Sequence, residues 1–585
     1  MTTQRYFYAY ARIPLPGTTL FRRLACLMFL VVVLLPMPAR AQCATAGKDG
    51  SPGTLTGIIN TYYPGTATAN QGATSITLGT SRGASTAISS GDLLMVIQMQ
   101  DAAIDSTNTD SYGNGISGSV ARGYTNANNV GRYEFVKATN SVALSGGTLT
   151  LVGTGPGTGL NNLYTNAAAS STQGQRRFQV VRVPQYISAT TSSGLTAAIW
   201  NGTTGGVLAF DVQENLTLSG TVSVDGLGFR GGAGGRSDSL GGSTGNNTDY
   251  RADSGNAVQA SKGEGIAGMP RWMYDPVANT SVDTGVEGYP NGSTSMGAPG
   301  NAGGGGTDGH PSANDDNSGG GGGGNGGIGG RGGKSWNSNL DTGGFGGAAF
   351  TERAAGRLVL GGGGGAGTRN NDNGNPAASS GAAGGGIVLI RARKIFGTGT
   401  ISANGANAYN DTLNDGGGGG GAGGSVLVFA LSTSTPSLTI NARGGRGGDA
   451  WRTQAANGDP GERHGPGGGG SGGFVIVPST LSPTVSVTGG TNGITTTSND
   501  AFGATAGENG SSVTTLTSGQ IPGTRSGAQC IATPTAVDLD AFTATMVEGN
   551  VYLEWKTGYE VNNLGFNLYR DVAGQRTQLN PSVVA

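Results

Sequence analysis

The chain's acid–base inventory is thin. Only two histidines, His310 and His464, occur in 585 residues. A nucleophilic hydrolase needs a base, and histidine is the usual one. Each lies beside Pro and Gly, a context that reads as a solvent-exposed loop. No His and Cys cluster has the spacing of a zinc site. Gly330-Arg331-Gly332-Gly333-Lys334-Ser335 looks like the end of a phosphate loop. The glycine that motif needs first falls on Ile328, and no strand-to-helix pattern flanks it. Hard oxygen ligands for calcium do cluster, at Asp105 and Asp110 and again at Asp308, Asp315 and Asp316. Calcium is therefore the one cofactor to carry forward. Turns capped by Asx side chains account for the same residues more simply.

Glycine decides what could position such groups. It supplies 115 of the 585 residues, with runs at Gly319–Gly324 and Gly416–Gly421. Glycine has the most backbone freedom to lose on ordering, so a chain this rich in it needs other elements to hold it. Those elements are visible as a repeated unit. Gly205-Gly206-Val207-Leu208-Ala209-Phe210 is followed by Thr221-Val222-Ser223-Val224. Gly385-Gly386-Ile387-Val388-Leu389-Ile390 is followed by Thr400-Ile401-Ser402-Ala403. Gly423-Gly424-Ser425-Val426-Leu427-Val428 precedes Thr439-Ile440-Asn441-Ala442, and Gly472-Gly473-Phe474-Val475-Ile476-Val477 precedes Thr484-Val485-Ser486-Val487.

The first strand of each unit is apolar on both faces and should be sandwiched. The second alternates, which puts Val222/Val224, Ile401/Ala403, Ile440/Ala442 and Val485/Val487 on one face. No unit can cover its own apolar face, so copies must stack around a shared core. The expected fold class is all-β: a glycine-rich β-solenoid or stacked-sheet scaffold, each unit two strands joined by a turn. For the glycine runs two arrangements are open: extended three-fold polyglycine helices packed side by side, or loose surface loops.

Four segments follow from the composition. Arg22 and Arg23, the apolar Leu24–Pro36 and Ala39-Arg40-Ala41 form a signal peptide over 1–41. Residues 42–200 read as an all-β domain with strands at Leu93–Gln100, Arg132–Lys137, Thr148–Val152 and Arg177–Val183. Residues 201–530 hold the repeats, with an insertion at 236–358 that is the expected functional surface. After a composition change, 531–585 reads as the opening half of an immunoglobulin- or fibronectin-type sandwich, with Trp555 buried on its second strand. In an oxidising compartment Cys43 and Cys530 would form a disulfide across the repeat body; the alternatives are two unrelated thiols or a Cys43 that pairs with another chain.

Net charge of −1 and 12% charged residues leave no basic stripe for nucleic acid, and no stretch beyond the leader is apolar enough to span a membrane. With blocks such as Gly416–Gly424 before an apolar strand and Thr-Ile-x-Ala-x-Gly, the chain resembles exported bacterial glycine-rich repeat proteins. Glu560–Arg570 is similar to the fibronectin type III-like module of large secreted bacterial proteins, some of which carry a cysteine-peptidase domain. In composition the glycine runs resemble the polyglycine helices of antifreeze proteins and of the glycine-rich domain of certain receptor kinases. The expectation is a non-catalytic, secreted or cell-surface scaffold or adhesion protein that meets surface glycans or other surface proteins. The alternatives are the N-terminal part of a larger secreted hydrolase, or a glycan-binding module.

Overall fold

A computed structural model describes residues 44–234, 249–254, 259–307, 317–336, 339–369, 375–410, 415–432, 434–450, 463–495, 500–524, 538–547, 550–559, 565–572 and 575–582. The fold is all-β, and the described residues contain no α-helix. Ala41–Cys530 form one compact unit; Met1–Arg40 and Ile531–Ala585 are grouped in the other.

The repeats assemble as their alignment requires. Val207–Ser223, Ile387–Ser402, Ser425–Ala430 and Phe474–Ile476 are neighbours in one ten-stranded sheet, and every pairing among them is parallel. Val207 faces Ile387, Ile387 faces Ser425, and Ser425 faces Phe474, so the residue after each Gly-Gly sets the register. The second halves keep step: Thr221 pairs with Thr400, Thr400 with Thr439, and Thr439 with Thr484. Ser511–Val513 adds a fifth first-half strand, Ser511 against Phe474. The sequence hides it because serines replace the aliphatic residues.

One expectation needs correction. No hairpin turn joins the halves of the first two copies; each is a single strand, of 17 and 16 residues. Parallel neighbours supply hydrogen bonds along both halves, which a tight hairpin would not permit.

Alternation then divides the core. Val207, Ala209, Ile387, Leu389, Leu427, Phe429, Phe474 and Ile476 enter one cluster. Leu208, Phe210, Val388, Ile390, Val426, Val428, Val475 and Val477 enter the other, with Val222, Val224, Ile401, Ala403, Ile440 and Ala442. Val485 and Val487 pack against this second cluster. Burying one aliphatic side chain stabilises by roughly 1.5–3 kcal/mol, so the sheet is the unit's main hydrophobic anchor.

The N-terminal part is a seven-stranded antiparallel sheet in the order Ser75–Leu78, Gly147–Val152, Tyr133–Ala138, Leu93–Gln100, Arg177–Val183, Thr61–Pro64, Arg82–Gly83. Strands from either side of residue 200 also share the repeat sheet: Gly53–Ile58 pairs with Ala189–Thr196, which pairs with Val207–Ser223. Between these sheets Arg391 and Asp211 make a buried ion pair at 2.7 Å. The guanidinium lies 3.9 Å from the ring centre of Phe135.

The glycine runs form a bundle of extended three-fold helices. Each N–H from Gly319 to Gly324 donates to a neighbour: in order, to Gly333, Gly417, Gly304, Gly330, Gly420 and Asn301. Each carbonyl accepts in turn, from Gly344, Gly468, Gly365, Gly347, Ser471 and Gly362. The partners recur every third residue, the period of a polyproline-type helix. Three residue classes, each with one donor and one acceptor, meet six surrounding segments, so the packing is hexagonal. No buried backbone group in this run is left without a partner. The insertion thus supplies a central strut of the bundle as well as surface.

Close approach is what demands glycine here. A Cβ on Gly419 would lie 2.0 Å from the Gly321 carbonyl oxygen. Toward the outside, amides take over the bonding. Asn404, Asn407 and Asn410, three apart, accept from the backbone N–H of Arg443, Arg446 and Asp449, each at 2.8 Å.

In the other unit, Asp538–Val547 pairs antiparallel with Asn550–Tyr559, and Tyr569–Val572 with Gln575–Gln578. Trp555 is buried and stacks edge-on to Phe566 at 5.4 Å.

Candidate functional site

Where the insertion meets the N-terminal sheet, an open cleft of about 450 Å3 is lined by Ala169, Ser170, Ser171, Arg251, Asp253, Glu287, Tyr289, Asn291 and Gly292. Three chain segments meet there. Asn291-Gly292 makes the lip: Asn291 sits at φ 61° and Gly292 at φ 126°. A side chain on Gly292 would place its Cβ 2.3 Å from the Ala252 carbonyl oxygen, so only glycine lets the two insertion segments close up. Ala252 and Thr294 then exchange backbone hydrogen bonds at 3.3 and 3.2 Å.

The loop carrying Asp105 and Asp110 braces the cleft from behind. Asn108 Oδ1 accepts from the N–H groups of Tyr250 and Arg251, at 2.8 and 3.1 Å. The Ser106 carbonyl accepts from Arg251 Nε at 2.5 Å, and the Ser106 hydroxyl accepts from Asn291 Nδ2 at 2.8 Å. Asp105 and Asp110 fold this loop. Asp105 Oδ1 accepts from the N–H and hydroxyl of Thr107, at 2.8 and 2.6 Å, and Asp110 Oδ2 accepts from Gly118 N at 2.8 Å. The Asp105 contact is an Asx-type turn, whereas Asp110 closes a wider loop, reaching a backbone N–H eight residues on. Among the described residues no group of three or more His, Cys, Asp or Glu side chains could hold a metal ion. Asp308, Asp315 and Asp316 lie outside the described residues, as do His310, Cys43 and Cys530.

Within the cleft, Glu287 staples its own wall. It accepts from the Ser254 N–H at 2.9 Å and from the hydroxyls of Ser254 and Ser293. Arg251 also donates from Nη1 to the Asn291 carbonyl at 3.0 Å. Below the cleft, Lys262 is fully buried. Its ammonium donates to the carbonyls of Tyr250, Ser295 and Gly297 at 2.7, 2.8 and 2.6 Å, under the ring of Tyr112. Burial, with Arg251 adding repulsion, pushes its pKa well below that of an ordinary lysine. All three ammonium protons are nevertheless matched, so Lys262 acts as a fixed cross-link between segments.

His464 departs from the expected exposed loop. It is completely buried, stacked on Trp336 with ring centres 5.5 Å apart. Burial lowers its pKa to about 3, so it is neutral at physiological pH. The next residue is packed against the bundle: a Cβ on Gly465 would lie 2.5 Å from the Gly319 nitrogen and 2.6 Å from the Gly333 carbonyl oxygen. His464 is not among the residues that line the cleft.

No family model, curated protein or solved structure matches the chain.

The sequence placed function in the insertion but did not pick out Arg251, Asp253, Glu287 or Asn291. Only the Asn291-Gly292 pair carried a usable signal, since that dipeptide favours left-handed turns.

Proposed function

We propose that this chain is a non-catalytic, exported surface or matrix scaffold whose insertion presents a binding cleft. The observation that carries the reading is the complete backbone pairing of Gly319–Gly324 with six neighbouring segments. Such a bundle is held by hydrogen bonds and close contacts along its length, with weak Cα–H···O contacts adding to them. The five first-half strands, parallel and in one register, support a solenoid-like array. The apolar leader ending at Ala39-Arg40-Ala41 supports export.

The decisive experiment expresses the full chain with an epitope tag near Ala585 in a bacterial host and fractionates it. The expected result is a product cleaved after Ala41 and reached by antibody on intact cells or in the medium. Retention of the uncleaved chain in the cytoplasm would overturn the proposal. A second reading, the non-catalytic part of a larger secreted hydrolase, is favoured by the separate β unit with Trp555 buried against Phe566. A peptidase domain encoded beyond Ala585 would support it.

A further inference from the structure

We propose that Asn60, Tyr62 and Gln179 form an end cap on the repeat sheet, and that this cap stops copies of the chain from joining head to tail into a filament. This rests on the scaffold proposed above and adds what sets its length.

The capped edge is the outer side of the first repeat. The Gly206 carbonyl accepts from the Ile387 N–H at 2.7 Å, toward the next strand, so Gly205, Val207 and Ala209 turn their backbone groups the opposite way. Side chains meet them there. Gln179 Oε1 accepts from the Gly205 N–H and its Nε2 donates to the Gly205 carbonyl, both at 2.9 Å. Asn60 does the same for Ala209, at 3.1 and 2.7 Å. Between them the Tyr62 hydroxyl donates to the Val207 carbonyl at 2.7 Å. A carboxamide carries both an acceptor and donors on one planar group, so each amide stands in for one residue of a missing strand. Asn60 places its other amide hydrogen on the Arg182 carbonyl at 3.0 Å, which fastens the cap to the N-terminal sheet. All three capping side chains are completely buried. At Asp211 the backbone takes over, its N–H donating to the Pro184 carbonyl at 3.0 Å.

The other end of the array is open. Ser511–Val513 pairs with Phe474–Ile476 and with no strand beyond it. Ser511 N–H donates to the Gly473 carbonyl at 3.0 Å and the Val513 carbonyl accepts from Val477 at 2.9 Å, so Ser512 directs its backbone groups away from the sheet. The N–H groups of Ala506, Asn509 and Ser512 have no acceptor among the described residues, and all three residues are exposed. Unpaired edge groups are a template for another strand. Only the shortness of this edge and its two serines blunt it.

Register decides what the open edge would take. Val207, Ile387, Ser425, Phe474 and Ser511 sit opposite one another in turn, all on parallel strands. The next place in that series, beside Ser511, fits one more parallel strand of the same kind. In a second copy the strand whose outer side could pair there is Val207–Phe210, the one that the cap covers. Such a contact joins unlike surfaces, so it does not close and can repeat without limit. Covering one of the two surfaces keeps the chain single, the role of end caps in stacked-repeat folds.

The test combines amide exchange with sedimentation and electron microscopy of the full secreted chain. Wild type should sediment as one chain at every concentration, and its Gly205 and Ala209 amides should exchange as slowly as Val388 inside the sheet. Free-peptide exchange at Gly205 and Ala209, or filaments of wild type, would overturn the cap before any variant is made. Gln179→Met, alone and with Asn60→Leu, removes the amides at similar volume. Gly205 and Ala209 should then lose protection while Val388 and Val426 keep it, and the chain should sediment as filaments. Adding Ser512→Pro, which takes a solvent-facing N–H from the opposite edge strand, should return it to one chain. Variants that stay single with Gly205 and Ala209 unprotected, and assembly that persists with Ser512→Pro, each contradict the head-to-tail account. Loss of protection at Val388 and Val426 in wild type would instead remove the scaffold itself.

Discussion

Replacing Gly419 by alanine puts one methyl group into the centre of the glycine bundle. The added Cβ would stand 2.0 Å from the Gly321 carbonyl oxygen and 2.4 Å from its carbon. An ordinary contact is at about 3.4 Å or beyond, so the segments must part by more than an ångström. No flexible side chain can yield, because the obstacle is backbone that is bonded on its far sides. Gly419 donates to Gly365 at 2.8 Å and its carbonyl accepts from Ala382 at 2.9 Å, while Gly321 donates to Gly304 at 2.9 Å. Parting the segments strains these bonds, each worth about 1 kcal/mol net. Overpacking a tight interior adds roughly 1–3 kcal/mol. Alanine restricts the unfolded chain and returns about 0.4–1 kcal/mol, too little to change the sign. The net loss should be roughly 3–5 kcal/mol. Gly519→Ala is the internal control, because a Cβ there meets nothing within 4 Å. Urea titration followed by tryptophan fluorescence, with amide exchange as a second readout, compares the two. If Gly419→Ala falls within about 1 kcal/mol of Gly519→Ala, the bundle is not close-packed and the reasoning fails.

Three further outcomes follow from buried charge. His464 stays neutral down to about pH 3 in the fold, whereas the unfolded chain protonates near its ordinary 6.5. The unfolded state therefore binds the extra proton, and stability should fall as pH drops from about 6.5 toward 3. His464→Phe should flatten that limb of a Tm-versus-pH curve; an unchanged slope would contradict the burial. Asp101 has the opposite sign. Burial raises its pKa to about 6, so its favourable contribution is present below about pH 4 and lost as pH rises through 6. Asp101→Asn should raise Tm at pH 7 and leave it unaltered near pH 3.5. Asp211→Asn would remove the carboxylate that the buried Arg391, 4% exposed, pairs with, at a cost of about 3–5 kcal/mol in a urea titration. The double change Asp211→Leu with Arg391→Met should recover most of it, and no recovery would argue against the pair.

Much of the sheet could be read from the chain because its signal is local. Leu93–Gln100 and Arg177–Val183 begin and end where their apolar runs do. Gly-Gly pairs align Val207, Ile387, Ser425 and Phe474 before any coordinates are needed. The unseen parts depend on contacts between distant segments. Gly319–Gly324 sits amid six others, and nothing inside its own sequence says so. Asn404, Asn407 and Asn410 did carry a hint, since a three-residue spacing of amides suits a three-fold helix and no other regular element. The cleft was illegible for a different reason. Arg251, Glu287 and Ser171 are brought together by turns at Asn291-Gly292 and by Ser106 and Asn108, whose acidic neighbours drew attention to calcium instead.

Hydrogen exchange of glycine amides, on protein labelled with 15N-glycine, addresses the central claim most directly. Gly319–Gly324 and Gly416–Gly421 should exchange orders of magnitude more slowly than a free peptide, on the scale of Val207–Phe210 in the sheet. Exchange of those glycines at the free-peptide rate, with the sheet still protected, would mean that the runs are loops and that no bundle exists.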